Sequence, residues 1–436
     1  MVLVIIISLI TFICLILSVL FFPVIKTRFI TLNSFWVVSF VGALLMLISG
    51  LISLREVYLG ITSSSDVNPL KILTLFISMT FLSIFLDELG FFNFLANRTL
   101  KYAKNSQLSL FITLYVLVSI LTVFTSNDII ILTFTPFIVY FSKRANINPI
   151  PYLIAEFVAA NTWSMMFVIG NPTNIYLATS FGITFTEYLR VMIVPTIIGS
   201  LSGFVSIYLI FRKCLRIPIN RVSEDFIIKD KKLLLIGLLH LSICTLILAF
   251  SSYINLPMWI ISFGFMLSLF LWILVLSIKK PQRRIVLYNT LRRGPWNLIP
   301  FLISMFIIVL SLDKYNITSV IAALIGDSSQ IYSYGIISFF SSNIINNIPM
   351  SVLFSNILNS APSINIIAVY STIIGSNIGA LLTPIGALAG IMWMSILNKV
   401  DVKMSFAQFI KYNLITSIIV IIVTLFSLDL VFRFLV

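Results

Sequence analysis

The sequence has little charge, a single histidine and three cysteines among its 436 residues, and each shortage excludes a class of protein. Charged residues make up only 10 % of the chain and hydrophobic residues 60 %, which excludes a soluble globular domain and indicates a polytopic membrane protein. The single histidine, His240, lies in an apolar stretch, where a packed side chain is more common than a proton relay. No Walker-type phosphate loop, HExxH motif or serine–histidine pair is present, so we do not expect an enzyme.

The three cysteines, Cys14, Cys214 and Cys244, are scattered and have neither disulfide nor metal-ligand spacing. We therefore predict no metal site and no cofactor, so that the only small ion required is a coupling ion, H⁺ or Na⁺. The net charge of +14 would suit nucleic acid, but the membrane topology explains it without a nucleic-acid partner.

Apolar runs of about 20 residues, long enough to cross a bilayer, recur along the whole chain. About ten of them are predicted to span the membrane, at 3–22, 29–53, 71–95, 151–181, 187–211, 232–252, 256–278, 296–325, 364–397 and 407–435. Two further apolar stretches, 108–142 and 331–360, are interrupted by polar residues and are predicted to be re-entrant hairpins. The predicted fold is an all-α polytopic membrane protein with these spans and two hairpins.

The basic residues support the hairpin interpretation. When both hairpins return to the side they entered, most of the 28 Lys and Arg residues fall on one side. The exceptions are Arg55, Lys71, Arg190, Lys314 and Arg433. The positive-inside rule then makes the basic side cytoplasmic and both termini extracellular, in a plasma-membrane protein. The first apolar run has no basic segment before it and no cleavage site after it, so it is expected to be an uncleaved span.

One set of polar residues occurs twice at the same spacing. In the first half it consists of Ser126-Asn127, Asn161 and Gly170. In the second half it consists of Ser342-Asn343, Asn377 and Gly386. Each half has an odd number of crossings, so the second lies upside down, a plan that secondary transporters use to build a midplane site. The predicted parts are an N-terminal repeat 1–212, a basic linker 213–231 and a C-terminal repeat 232–436.

Four polar interruptions are predicted to place helix ends inside the membrane. A helix start offers N–H groups and partial positive charge, which suit an anion or a polar oxygen, whereas a helix end offers carbonyl groups, which suit a cation. Asn171 before Pro172, and Thr383 before Pro384, have the form of a cap residue followed by proline at the first helical position. Each span would therefore stop and restart there.

The repeated glycines, Gly170 and Gly386, would permit positive φ and close approach of a ligand. The candidate binding residues are Ser126, Asn127, Asp128, Asn161, Gly170, Asn171, Pro172, Thr173, Asn174, Ser342, Asn343, Asn346, Asn347, Asn377, Thr383, Pro384 and Gly386. The alternative is that the breaks are only proline kinks, with asparagines bonded between neighbouring helices. A kink, however, has no reason to recur in register in both halves.

Carboxylates within apolar stretches are candidates for coupling to H⁺ or Na⁺. Asp128 is the strongest because it belongs to the repeated motif, while its counterpart by spacing is Ile344. The two-fold site would then contain one titratable group. Glu156, one to two turns inside its span, is a second candidate.

Asp87 and Glu88 complete the coupling candidates, because they lie deep in the third predicted span. An equal alternative is a pair near the cytoplasmic interface that is partnered by Arg98 or by the backbone.

At these motifs the sequence resembles the ion transporter superfamily and, within it, the arsenite efflux permeases. The resemblance extends through most of the chain and is strongest at 83–92, 126–139, 185–195, 346–350 and 375–393, where GSNIGALLTPIGALAGIMW is the most specific piece. It implies export of trivalent arsenic or antimony hydroxides driven by the proton gradient, in some systems with a separate ATPase subunit. Hairpin tips and broken helices would form the site in that family too.

The sequence departs from the arsenite permeases in two places. They tend to have an acidic residue near the position of Asn161, and their first break is less marked by proline than GNPTN at 170–174. This break is more similar to those of the Na⁺/H⁺ antiporters and anion symporters of the superfamily. A Na⁺-coupled anion or dicarboxylate symporter, or a Na⁺/H⁺ antiporter, is therefore an alternative, and an ion channel is another. The expected partners are the bilayer and a small inorganic or anionic solute; a homodimer and an ATPase subunit are left open.

Overall fold

The computed structural model is helical almost throughout, with one small antiparallel sheet formed by β1, Val24–Lys26, and β2, Thr31–Asn33. It describes residues 1–22, 24–26, 31–62, 68–102, 106–218, 228, 230–251, 253–326, 329–361, 365–400 and 402–434. Most of the predicted linker 213–231 lies outside these ranges, so its limits and those of the two repeats stay predictions.

The helices follow one another in the same order in both halves. The first half contains α1 Val2–Phe21, α2 Ser34–Ile48, α3 Leu54–Thr62, α4 Pro69–Glu88, α5 Phe91–Tyr102, α6 Gln107–Phe124, α7 Asn127–Ala145, α8 Ile150–Trp163, α9 Pro172–Ser180 and α10 Phe185–Phe211. The second half contains α11 Lys231–Ala249, α12 Met258–Lys279, α13 Arg283–Arg292, α14 Leu298–Lys314, α15 Ile317–Ile325, α16 Gln330–Ile345, α17 Asn347–Ser360, α18 Ile366–Leu382, α19 Leu388–Lys399 and α20 Phe406–Phe434.

The predicted all-α polytopic membrane fold is confirmed. Among the described residues, six helices are long and apolar enough to cross a membrane, or seven if the bent pair α14 and α15 counts as one span. The predicted single span 296–325 is interrupted, because the chain bends by 80° between these two helices. Asn316, at a φ of +59°, starts the bend, and Gly90, at a φ of +79°, follows α4 at the corresponding place in the first half.

The first hairpin, α6 and α7, begins and ends on one face of the protein, which we call the basic face. Ser106, before α6, forms an isolated β-bridge with Pro218, and Lys143, near the end of α7, donates a 2.8 Å hydrogen bond to the carbonyl oxygen of Val400. Pro218 follows the end of α10 and Val400 precedes the start of α20, and these two long helices pack antiparallel. Both ends of the hairpin therefore lie on the face where α10 ends and α20 begins.

The second hairpin, α16 and α17, begins and ends on the opposite face. Gln330, at its start, accepts a 3.0 Å hydrogen bond from the backbone N–H of Asn365 and shares a cavity with Arg433, near the far end of α20. Ser360, at its end, is 3.5 Å from the carboxylate of Asp313, near the far end of α14. The two hairpins thus enter from opposite faces and reach the interior between them.

Small residues allow the second hairpin to lie close against the broken helix that follows it. A Cβ added to Gly375 would overlap Ser338 and the backbone at Gly335, and one added to Gly379 would overlap Ser342. Glycine and serine at helical spacing bring membrane helices into backbone contact. The position of this hairpin is consequently fixed by α18.

Candidate substrate and ion site

Four helices begin at breaks inside the protein, and their first residues face its middle. α7 and α19 pack together and run towards the basic face, while α9 and α17 pack together and run towards the opposite face. Each pair combines a hairpin arm from one half with the restarted part of the broken helix from the other. Four partially positive helix starts are therefore directed towards one interior region.

Asn377 joins the broken helices of the two halves. Its Nδ2 donates to Oδ1 of Asn174 at 2.6 Å, and its Oδ1 accepts from Nδ2 of Asn171 at 2.8 Å and from Oγ of Ser164 at 3.1 Å. These four side chains are buried. Nearby, Ser376 donates to the hydroxyl of Thr173 at 3.0 Å. The break at 164–171 is thus held by the second half of the chain.

The tip of the first hairpin belongs to the same network. Asn127 Nδ2 donates to Oδ1 of Asn161 at 3.2 Å, and Asn161 Nδ2 donates to the carbonyl oxygen of Phe157 at 2.8 Å. Ser164 links the two parts, because its hydroxyl lies 3.0 Å from the carbonyl oxygen of Asn161 as well as near Asn377. The structure therefore connects Asn127, Asn161 and Asn377, three asparagines predicted from the repeat.

The second hairpin is bonded to the break that follows α18. Thr383 Oγ1 donates to Oδ1 of Asn343 at 2.6 Å, and Asn343 Nδ2 donates to the carbonyl oxygen of Gly379 at 3.0 Å. Asn346 Nδ2 donates to the carbonyl oxygen of Ile385 at 2.9 Å. Each hairpin is therefore held by the interrupted helix of its own half.

The repeat in sequence and the repeat in structure differ by one helical turn at the hairpins. Ser126-Asn127 forms the first tip, whereas Ser342-Asn343 still belongs to α16 and the second tip is Asn346-Asn347. One additional turn of α16 explains the difference. After the hairpins the original spacing returns, because α9 starts at Pro172 and α19 at Leu388.

This shift changes the counterpart of Asp128 but not the asymmetry between the halves. Ile344, the counterpart by spacing, lies on the exposed side of α16. The residue at the same place in the second restarted helix is Ile348, which is buried. The residue equivalent to Asp128 in the second half is therefore apolar whether it is identified by sequence spacing or by structure.

The two predicted proline caps have different outcomes. Asn171 caps α9 as predicted: its Oδ1 accepts from the backbone N–H of Thr173 at 3.2 Å, and Pro172 is the first helical residue. Thr383 and Pro384, however, begin only a 3-10 turn, Pro384–Gly386, and α19 starts later, after Ala387.

Neither Gly170 nor Gly386 adopts the positive φ that glycine permits. Glycine is required at both positions because another segment of backbone approaches closely. A Cβ on Gly170 would overlap the carbonyl oxygen of Ser164, and one on Gly386 would lie 2.7 Å from the carbonyl oxygen of Gly379. Both glycines therefore let an interrupted helix fold back on itself.

Two polar atoms at the hairpin tips have no hydrogen-bond partner among the described residues. They are Oγ of Ser126 and Oδ1 of Asn347, and both residues are at least 95 % buried. Buried polar groups are normally satisfied, so such exceptions indicate places where a ligand or water binds. Each tip contributes one such atom.

Asp128 and Glu156 lie in different surroundings. Asp128 is 9 % exposed in the first turn of α7, and no hydrogen bond or cation from the described residues reaches its carboxylate. Glu156 is 1 % exposed, and its two oxygens lie 3.0 and 3.1 Å from the donating hydroxyl of Thr135. Sequence reasoning missed Thr135, although it lies two turns after Asp128 on the same face of α7.

Asp87 and Glu88 form an ion-paired cluster at the basic face. Arg293 donates to Asp87 at 2.5 Å and to Glu88 at 2.6 Å, and Asn289 donates to Glu88 at 3.2 Å. These residues end α4, which agrees with the predicted alternative of a pair near the interface and not with a deep location, but their cation is Arg293 from the second half and not Arg98. A coupling role for the pair stays a prediction.

Ser164 is a site residue that the sequence did not reveal. It lies at the end of α8 and joins Asn161 to Asn377, but the residue at the repeat spacing in the second half is Ala380, so no repeated pattern marks it. Over the described ranges, no three His, Cys, Asp or Glu side chains gather to hold a metal ion. The predicted absence of a cofactor stays a prediction.

Two inverted halves, with re-entrant hairpins and broken helices that meet in the interior, define a membrane transporter. The family model described as "CitMHS: Citrate transporter" matches residues 12–374, and the chain therefore belongs to this family.

Individual relatives agree with this class. The chain is 26 % identical over 375 residues to the "Arsenical pump membrane protein" of Escherichia coli K12, covering 81 % of this chain and 85 % of that protein. It is 24 % identical over 363 residues to the "46 kDa membrane protein" of Mycobacterium leprae, with 80 % and 83 % covered. These matches confirm the resemblance to the ion transporter superfamily and its arsenite permeases.

The fold also matches a solved transporter structure. The Alcanivorax borkumensis YdaH transporter, whose crystal structure is described as having an unusual topology, aligns with a TM-score of 0.56 at 11 % identity. The alignment covers 99 % of this chain and 98 % of that one, so the likeness concerns the whole fold.

Proposed function

We propose that this protein is a secondary transporter that exports arsenite, antimonite or a similar small hydroxylated solute in exchange for protons. The observation that carries the proposal is the pair of buried, unpartnered atoms at the hairpin tips, Ser126 Oγ and Asn347 Oδ1. Relatives named arsenical pump membrane proteins support the choice of cargo.

The chemistry of the tips suits a neutral solute with hydroxyl groups. A serine hydroxyl can donate and accept a hydrogen bond, and an amide oxygen can accept one. Each tip can therefore form a hydrogen bond with a hydroxyl group of the solute. Thiolates, which would hold trivalent arsenic tightly, are remote in sequence from the breaks, and Cys244 instead contacts Met79. Weak binding by amides and hydroxyls favours release.

Asp128 is the proposed coupling group. It lies in the first turn of α7, next to Ser126 and Asn127, where a proton and the cargo can compete for the same helix start. A carboxylate without a cation in a membrane interior is costly to ionise, which favours exchange of a proton when the site opens. Glu156 is a second candidate for carrying protons, on the basic side of the tip.

The charge distribution supports the direction. If the basic face is cytoplasmic and the protein resides in the plasma membrane, both termini are extracellular and export proceeds towards the opposite face. In this proposal the chain catalyses no reaction, and an ATPase partner is not required for proton-driven transport.

A second function, Na⁺-coupled transport of citrate or another carboxylate, is favoured by the family match and by the four helix starts. Partially positive helix ends bind carboxylates well, and the matching family model is described as a citrate transporter.

Uptake into everted membrane vesicles separates the two functions. Arsenite, citrate and Na⁺ are supplied in parallel, with and without a proton uncoupler. Arsenite accumulation that the uncoupler abolishes is the expected result. Citrate uptake that depends on Na⁺ and withstands the uncoupler would replace the first function by the second.

Variants then test the assigned residues. Asp128→Asn should abolish uncoupler-sensitive accumulation, whereas Asp429→Asn, which alters a buried aspartate paired with Arg433 near the opposite face, should retain it. Ser126→Ala should raise the KM for arsenite about fivefold or more by removing one hydrogen bond. Ser142→Ala removes another buried, unpartnered hydroxyl, near the end of α7 that is remote from the tip, and serves as the control.

A further inference from the structure

A cavity of about 430 Å³ opens on the opposite face, where α4 and α12 begin and α9 ends. It is lined by Lys71 and Leu75 of α4, by Thr179 of α9 and the turn at Gly182, and by Trp259 of α12. Acidic side chains are absent from the described residues that line it. The cavity is therefore suited to a neutral or anionic solute and not to a cation.

Unpartnered hydroxyl groups continue inwards from this cavity. Thr179 lines it, and its buried Oγ1 has no partner within the part of the chain that the structure describes. Tyr176, one turn earlier on α9, is 2 % exposed, and its hydroxyl has no hydrogen-bond partner there either. The Tyr176 hydroxyl lies close to that of Ser355 of α17, which is fully buried, but the two form no hydrogen bond of normal geometry, and neither has another partner among the described residues.

The line of polar groups reaches the hairpin tip along α17. Asn347, Ser351 and Ser355 follow one another at intervals of four residues, so they lie on the same side of the helix, and all three are buried. From Ser355 to Asn347 the distance along the axis is about 12 Å. One continuous set of polar side chains thus joins the unpartnered amide of Asn347 to the cavity.

Ser351 is satisfied within α17, because its hydroxyl donates to the carbonyl oxygen of Asn347 at 2.8 Å, but a purely structural role does not explain the unpartnered groups on either side of it. Each buried polar group without a partner costs about 1–3 kcal/mol in a protein interior, and apolar side chains would pack against α4 and α14 without that cost. A solute path requires polar groups that follow one another from the proposed site to the cavity. Such groups have no partner in the protein because they bond to the passing solute and to water.

We propose that the polar side chains between Asn347 and the cavity form the exit path of the transporter, with Tyr176 and Ser355 as its constriction. The direction of travel rests on the proposed export function; the existence and location of the path do not. A hydroxylated solute would leave the tip, pass between the two facing hydroxyls and enter the cavity before release.

Removal of the two hydroxyls tests the constriction. Tyr176→Phe and Ser355→Ala are each expected to lower the rate of export about fivefold or more while equilibrium binding of arsenite to the purified protein is unchanged. Tyr152→Phe is the matched control, because this buried tyrosine donates to Oε1 of Gln107 at the start of α6, on the basic face and not on the face of the cavity. Wild-type export rates in both path variants would overturn the role of these hydroxyls.

Thiol labelling tests the path without any assumption about the cargo. In a chain with Cys14, Cys214 and Cys244 replaced by serine, Thr179→Cys and Ser355→Cys are treated with a membrane-impermeant maleimide from each face. We expect Thr179→Cys to react only from the opposite face, and Ser355→Cys to react from that face more slowly. Ser405→Cys, exposed before α20, should react only from the basic face. Absence of labelling at Ser355→Cys from the opposite face, in protein that folds and labels at Thr179→Cys, would overturn the path even if arsenite export were established.

Discussion

Nδ2 of Asn377 donates a 2.6 Å hydrogen bond to Oδ1 of Asn174, so the second broken helix is joined directly to the first. Asn377 belongs to the repeated polar set, whereas Asn174 has no asparagine at the same spacing in the other half, where Gly390 stands. The contact between the halves is therefore asymmetric. When the site changes from exposure on one face of the membrane to exposure on the other, this contact must either persist or break.

Asn377→Ala is expected to weaken folding and transport together. The change removes the bonds of Asn377 to Asn171 Nδ2 and Asn174 Oδ1, whereas Ser164 keeps its bond to Asn161. At about 1–3 kcal/mol per unsatisfied group, we expect a loss of several kcal/mol in the free energy of unfolding. Thermal unfolding of the purified protein in detergent measures the loss. Asn356→Ala is the control, because among the described residues Asn356 bonds to its own helix alone, at the carbonyl oxygen of Val352.

Gly379→Ala should displace the second hairpin from α18. The added methyl group would meet Ser342 and lie 2.7 Å from the carbonyl oxygen of Phe339, and such overpacking costs about 1–3 kcal/mol. Transport in vesicles and the unfolding temperature should both fall. At Gly264 of α12 an added methyl group meets nothing within 4 Å, so Gly264→Ala should behave as the wild type. Equal behaviour of the two variants would contradict the close packing described above.

Arg293→Gln should destabilise the protein without altering its coupling. The change leaves the carboxylates of Asp87 and Glu88 unpaired, and since Arg293 is 40 % exposed the expected cost is about 1–2 kcal/mol, below that of a fully buried pair. The ratio of protons to solute moved by the remaining folded protein should equal that of the wild type. A changed ratio would instead place these two acids in the coupling path.

Asp230 predicts a pH effect at the start of α11. Burial alone would raise the pKa of its carboxyl, but the hydrogen bond and charge of Arg283 and the N–H groups of Lys232 and Leu233 lower the pKa below its ordinary value. Because the pKa is lower in the folded state, the stabilisation is complete above the ordinary aspartate pKa of about 3.9 and is lost as the pH falls through the folded value.

Two substitutions at Asp230 separate the cap from the charge. Asp230→Ala should cost about 1 kcal/mol at neutral pH, the usual effect of losing a helix cap. Asp230→Asn retains a capping oxygen but not the charge, so its unfolding temperature should depend less on pH than that of the wild type. The measurement is thermal unfolding of the detergent-solubilised protein between about pH 7 and about pH 3.

The sequence was sufficient for the all-α membrane fold and for the two hairpins, because long apolar runs with distinct polar interruptions indicate both. The bend at Asn316 escaped prediction because the apolar composition continues through α15. The four-residue shift of the second tip escaped it because one more turn of α16 leaves the spacing of Ser342-Asn343 and Asn377 unchanged in sequence. Backbone conformation at single residues decides both features, and hydrophobic periodicity does not report it.

The polar partners within the site were predicted only in part. Repetition identified Asn127, Asn161 and Asn377, and the structure connects all three. Ser164 and Thr135 could not be found in this way, because their roles depend on which face of a helix meets a neighbouring one. The ion pair of Asp87 with Arg293 was missed for the same reason, since the two residues are far apart in sequence.

The pairing of α7 with α19, fastened by Lys143 and Val400, and of α9 with α17, has a consequence for the origin of the chain. Each pair consists of one helix from each half of the chain. One half alone therefore supplies one helix of each pair and cannot form either pair by itself. An ancestral gene that encoded a single half would therefore have needed two copies of its product in opposite orientations in the membrane. Fusion of two such genes would have fixed the opposite orientations, after which the basic residues of each half could diverge.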